Sequence, residues 1–252
     1  MITDPVERIL SKSDIYWRYA PTWYRRIWNH DIDKYDAPCD PYKIEWVDPD
    51  RIQEITRRPR PMKYNVIGEV RDGNWDIRDD FQFTEKYEKE DYIYYKYPTM
   101  RFEDSVFYQS LRARFVDGLD WDETEYVQTE LNRIQEGKTG WGGSSTREEL
   151  LSHCASVDLL YNTIKQSGYK DQVEIGDART LMEARLNEIL VDIGRDGQLL
   201  YVDSRHRLAI SKILDLDSIP VTFAVRHSEW AEFRDKVYNG IESASHPDLR
   251  SI

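Results

Sequence analysis

The chain has 252 residues, 40% of them hydrophobic, which is enough to close a core for one large domain or for a domain carrying a substantial insertion. Charged residues make up 33%, and no apolar run reaches the roughly 18 residues of a membrane-spanning helix, so the sequence excludes an integral helical membrane protein. The net charge of -12 repels phosphate backbones and disfavours extended nucleic-acid binding unless basic residues cluster.

Aspartate outnumbers glutamate and arginine outnumbers lysine, a bias that suggests the salt-adapted surface of a halophilic protein. Met1-Ile2-Thr3-Asp4-Pro5 has neither the basic start nor the apolar stretch of a signal peptide, so the expected location is cytoplasmic. Cys39 and Cys154 have no metal-ligand or redox spacing and read as two reduced thiols.

In chain order, residues 1–40 interleave aromatics with arginine, as in Ile15-Tyr16-Trp17-Arg18-Tyr19 and Trp23-Tyr24-Arg25-Arg26-Ile27-Trp28. An amphipathic helix packed on the domain is the plainer reading. Peripheral membrane contact through 15–28 and stacking on bases are the alternatives. Lys43–Val47 alternates as a strand, Asp48-Pro49-Asp50 turns into a short helix over Arg51–Thr56, and Tyr64–Val70 is a second strand before the Asp72-Gly73 turn.

Residues 84–170 carry helical periodicity. Helices are expected over Ser105–Val116, Glu123–Gln135 and Arg147–Ser167, the last opened by a Ser145–Glu148 capping box and closed by Gly168. Gly137–Gly143 lacks P-loop order and reads as a hinge or lid loop. Beyond it the period changes. Glu188–Ile193 and Leu199–Val202 form a hairpin around Arg195–Gln198. Asp203–Arg207 is a polar turn, Leu208–Leu214 a helix, Ile219–Val225 a strand and Ala231–Tyr238 a last helix. The tail after Gly240 is expected to be loosely ordered.

The chemistry concentrates in Asp203-Ser204-Arg205-His206-Arg207, where a strand passes into a helix. Main-chain N–H groups at a helix start lack intrahelical partners and attract anions. Arg205 and Arg207 add permanent charge in a planar fork suited to phosphate. His206 can donate to a phosphate oxygen or move a proton. Asp203 can cap the turn or hold a magnesium ion. The plainer reading is a salt-bridged Asp–Arg cap on an ordinary helix, but three consecutive basic side chains exceed what a cap needs. Glu69, Asp72 and Asp76 around Gly73 offer a further general base or metal ligand, against a solvated turn as the plainer reading. His153 reads as a packed or surface residue rather than a ligand, and His227 and Trp230, just beyond the last strand, read as structural, with a place at the border of the site as the alternative.

The run Val202–Leu214 followed by Ser218-Ile219-Pro220-Val221 resembles the nucleotide-binding box of the ParB/sulfiredoxin superfamily, whose members read approximately D-G-x-H-R-x-x-A-A-x-x-L-G and then I-P-V. The likeness covers about 45 residues, and Lys43–Asp50 is similar to the family's first strand. It implies an α+β fold with a mixed sheet and flanking helices. The α/β domain would comprise 41–83 and 171–240, with 1–40 as an N-terminal segment, 84–170 as a large helical insertion and 241–252 as a tail. It also implies that His206 and Arg207, with Asp203 and Arg205 flanking, cradle the phosphates of a nucleotide such as ATP, ADP or CTP, and the expected cofactors are that nucleotide and Mg2+. Two positions depart from the pattern. The sulfiredoxin cysteine is absent, since Ser204 and Arg205 precede His206, which excludes that chemistry. Ser204 also stands where the family has glycine.

The functional expectation is a nucleotide-dependent, kinase-like phosphotransferase acting on a small hydroxyl-bearing or glycan-precursor acceptor. Asp203, His206 and Asp76 are its candidate catalytic residues, and Ser204, Arg205, His206 and Arg207 its phosphate ligands. The alternative is a nucleotide-switched DNA- or partner-binding protein without phosphotransfer. A third reading is a partner-binding module that has lost the nucleotide.

Overall fold

The computed structural model describes residues 14–27, 30–58, 66–77, 101–250 and 252. The chain is α+β. Its described residues form one mixed six-stranded sheet and eight α-helices. It divides into two compact units, Met1–Thr84 with Lys170–Ser204 and Asp217–Ile252, and Glu85–Tyr169 with Arg205–Leu216.

The first unit holds the sheet. Its strands are β1 (Glu45–Val47), β2 (Ile52–Ile55), β3 (Glu69–Arg71), β4 (Ile189–Ile193), β5 (Leu199–Asp203) and β6 (Ile219–His227), in the order β1-β6-β4-β5-β2, with β3 also pairing β6. The continuous apolar runs become the central strands. All five residues of β4 and all nine of β6 are buried, as expected for strands covered on both faces. β4 and β5 form the expected antiparallel hairpin, with Ile193 opposite Leu199, and β4 runs parallel to β6. Short β1 pairs antiparallel with the start of β6, and β3 pairs parallel with its end.

The short helix expected over Arg51–Thr56 is not formed. A 3-10 turn, Pro49–Arg51, capped by Asp48, leads directly into β2. β2 pairs parallel with β5, and the ladder hydrogen bonds of Ile52–Ile55 outweigh a weak local helical signal. Of the strand expected over Tyr64–Val70, only Glu69 and Val70 belong to β3, Val66–Gly68 lead into it through a turn, and 64–65 lie outside the described residues.

Helices α1 (Asp14–Ile27), α5 (Gln172–Ile175), α6 (Leu181–Asn187) and α8 (Ser228–Tyr238) belong to this unit. Ala20 and Tyr24 of α1 pack into a core with Tyr42, Ile67, Leu181, Leu186, Leu190 and Val202. α5 and α6 were not legible as periodic segments because they are four and seven residues long.

Buried polar groups pin the sheet. Asp192, fully buried on β4, accepts hydrogen bonds from Thr56 Oγ1 (2.6 Å), Val225 N (3.2 Å) and the Arg58 guanidinium. The tail is not loose. After the exposed residues 241–245, His246–Leu249 are buried, and Asp248 accepts from Arg226 Nη2 (2.5 Å), Arg226 Nε (3.0 Å) and Trp230 Nε1 (3.0 Å). Two arginines on β6 and α8 require a carboxylate, and the tail supplies it.

The second unit is helical: α2 (Val106–Phe115), α3 (Glu125–Gln135), α4 (Arg147–Ser167) and α7 (Arg205–Ile213). α2 contacts α3 and α7, and α4 contacts the same two, which closes a four-helix ring. Ser105 Oγ caps α2 at Tyr108 N (3.1 Å). α4 is capped by Thr146, one residue later than expected, while Ser145 donates from N and Oγ to the Glu149 carboxylate. Gly168 ends α4 with φ +74°, a conformation open to glycine at little cost.

Candidate functional site

Ser204 is the residue at which the chain leaves β5 and enters α7. Its φ of +72° lies in the left-handed region, which side chains with a Cβ rarely adopt. The local bonds that hold it there are short. Ser204 N donates to Asp203 Oδ1 (2.7 Å), and Ser204 Oγ donates to Glu188 O (2.8 Å). Glycine adopts this backbone at little cost, and at this position the Ser204 hydroxyl offsets part of the strain.

α7 begins at Arg205, earlier than the expected Leu208. Arg205, His206 and Arg207 are therefore not a free turn but the first turn of a nine-residue helix. Their side chains work within the helical unit. The Arg205 guanidinium lies over the Phe107 ring at 4.6 Å and nears Tyr126 at 5.6 Å and Trp141 at 5.9 Å. It also donates to the Tyr126 hydroxyl at 3.1 Å. His206 stands edge-on to Phe107 at 4.9 Å and stacks on Trp141 at 5.0 Å. Arg207 is half-buried, and its carbonyl accepts from Ser211 Oγ at 2.7 Å. Further along α7, Lys212 pairs with Glu103 at 2.9 Å.

Glu130 completes this aromatic surround. Burial pushes its carboxyl pKa up, against the opposing pull of Arg133, the Trp141 N–H and Arg205. Phe107, Tyr126, Trp141 and Glu130 escaped the sequence reading. Trp141 lay in the glycine-rich stretch expected to be a hinge or lid. In the structure that loop is a pinned 3-10 turn, closed by Gly140 N to Ser144 O (2.8 Å) and by Trp141 against His153 and His206. Gly142 at φ +68° is required there, because a Cβ would stand 2.6 Å from the His153 ring. The one available signal was an aromatic residue between glycines.

Asp76 is not brought to the junction. It sits at the turn end of the β4–β5 hairpin, where Arg195 donates to it from N (2.8 Å), Nη2 (2.8 Å) and Nε (3.0 Å). Asp203 lies at the other end of β5, about 13 Å along the strand from Leu199 at the usual strand rise. Burial alone would raise the Asp76 pKa; the Arg195 hydrogen bonds outweigh it and hold the carboxyl below its ordinary value. An ionised carboxylate saturated by one arginine is a structural anchor. Asp72 accepts from the Gly73 N–H and from Ser228 Oγ, and Glu69 pairs with Arg71. His227 caps α8 through Nδ1 and donates from Nε2 to Gly73 O at 2.7 Å.

An open cleft of about 360 Å³ also lies in the sheet unit, lined by Arg51, Gln53, Glu54 and the hairpin turn at Asp196–Gln198, not by the Asp203 end of β5. Among the described residues no group of three or more His, Cys, Asp or Glu side chains stands together to hold a metal ion. Comparison with family models, curated proteins and solved structures yields no match.

Proposed function

We propose that this chain is a nucleotide-binding protein whose phosphate-binding element is the first turn of α7, and that nucleotide occupancy is read by the helical unit. The observation that carries this reading is the sequence of backbone states from β5 through left-handed Ser204 into a helix opening Arg205-His206-Arg207. Such a helix start offers main-chain N–H donors to an anion beside permanent side-chain charge. The order of hairpin, junction, helix and a β6 strand parallel to β4 supports the likeness to the ParB/sulfiredoxin superfamily.

The switch version is favoured by Arg205 and His206. Arg205 is seated among Phe107, Tyr126 and Trp141 and His206 between Phe107 and Trp141, so an anion drawing on either side chain must compete with that packing. Phosphotransfer to a small hydroxyl-bearing acceptor is the second version. Asp203, half-buried at the end of β5, is its remaining candidate base.

The test is calorimetric titration with ATP, ADP and CTP, each with and without Mg2+, on the wild type and on Arg207→Ala. Loss of one charge-assisted phosphate contact predicts about 10- to 100-fold weaker binding in the variant. The absence of binding by all three nucleotides refutes the reading. Conversion of nucleotide in the presence of hydroxyl compounds separates phosphotransfer from switching.

A further inference from the structure

We propose that the outer face of α1 docks this protein in the plane of an anionic lipid surface. The inner face of the helix is already used, since Ala20 and Tyr24 are buried against Tyr42 and Leu181. Beside it, at every fourth position, stand Ile15, Tyr19, Trp23 and Ile27, exposed at 72%, 61%, 49% and 58%. Residues four apart form one ridge along a helix, so these four side chains make a continuous stripe about 18 Å long. A line of large apolar side chains left in water on a packed helix marks a contact surface.

The chemistry of the stripe selects the partner. Arg18 and Arg26 are exposed beside it. Asp14–Ile27 contains three arginines and one aspartate, a local positive excess in a chain of net charge -12. Tryptophan and tyrosine between an apolar ridge and arginines match the boundary of acyl chains and anionic headgroups. A second copy of this helix is disfavoured, because a two-fold contact would bring the same arginines together. At 14 residues α1 is about 21 Å long, shorter than the roughly 30 Å hydrocarbon core, and no described helix is long and apolar enough to cross a membrane. The contact therefore lies along the surface.

The experiment is flotation of the full chain with vesicles of phosphatidylglycerol and phosphatidylcholine, compared with phosphatidylcholine alone. The expected result is binding at least about tenfold stronger to the anionic vesicles. Tyr19→Ser with Trp23→Ser should weaken it by about tenfold or more, and Arg18→Glu with Arg26→Glu should abolish the preference. All four side chains are exposed, so unchanged circular dichroism and melting confirm that the variants fold. Equal binding to both vesicle types, no binding, or indifference to Tyr19 and Trp23 overturns the proposal. So does a dimer, seen by light scattering, that the Tyr19→Ser/Trp23→Ser variant splits.

Discussion

Replacing Asp248 by asparagine tests what fastens the C-terminal segment. The carboxylate is buried and faces two buried guanidinium groups, Arg226 with paired contacts at 2.5 and 3.0 Å and Arg234 at 3.1 Å, together with the Trp230 indole N–H. Burial works against ionisation of Asp248, and the Arg226 charge outweighs it and holds the carboxyl below its ordinary pKa. Burial also opposes the Arg226 charge, and Asp248 overrides that and keeps its pKa above the usual value. Asparagine preserves the shape and removes the charge. Two buried cations then face a neutral amide, and breaking such a pair costs about 3–5 kcal/mol. Set against a typical total stability of about 5–15 kcal/mol, this is a large fraction. Urea unfolding at pH 7, followed by circular dichroism, measures it. Adding Arg234→Met to the Asp248→Asn chain should restore about 1–2 kcal/mol by removing one uncompensated charge. A loss under about 1 kcal/mol, or no recovery in the double variant, refutes the electrostatic account.

The remaining predictions concern acid response, thiols and the junction. His246 is held neutral, donating from Nε2 to Gly197 O and accepting the Asp248 N–H at Nδ1, and burial pushes its pKa down to about 4. A depressed folded pKa means that its contribution is present above the unfolded value near 6.5 and is lost as pH falls toward about 4. Stability should therefore decline by up to about 3 kcal/mol across that window, and His246→Gln should flatten the slope in urea titrations. Cys154 is buried, its thiol pushed up to about 12 by burial first and by Asp158, and Cys39 is buried too. Neither should react with a thiol reagent in the native state, and both should react in urea; rapid native labelling would contradict this. Ser204→Gly should change stability by less than about 1 kcal/mol, since relief of the left-handed strain offsets the lost Glu188 hydrogen bond, whereas Ser204→Val should cost about 2 kcal/mol or more. Thermal melts of both variants decide it.

Long apolar or periodic segments were determined by the sequence alone. β4, β5 and β6 announced themselves as runs such as Ile189-Leu190-Val191 and Val221–Val225, and α4 was legible over its full Arg147–Ser167 span because four successive turns repeat the same apolar spacing. The basic run at Arg205–Arg207 was legible too, since charge is a local fact, whereas the left-handed backbone at Ser204 is not. What only the tertiary structure decided are partnerships between distant residues. Ile52–Ile55 became a strand because β5 offered it a ladder. Residues 246–249 became ordered because Arg226 and Arg234 lacked a counter-charge. Asp76 became an anchor because Arg195, 119 positions away, reaches it. Arg205 was drawn among Phe107, Tyr126 and Trp141, contributed by three separate stretches of chain. Local pattern encodes which face of an element is apolar. Which buried charge meets which partner depends on contacts between residues far apart in the chain, and these form only when the elements pack.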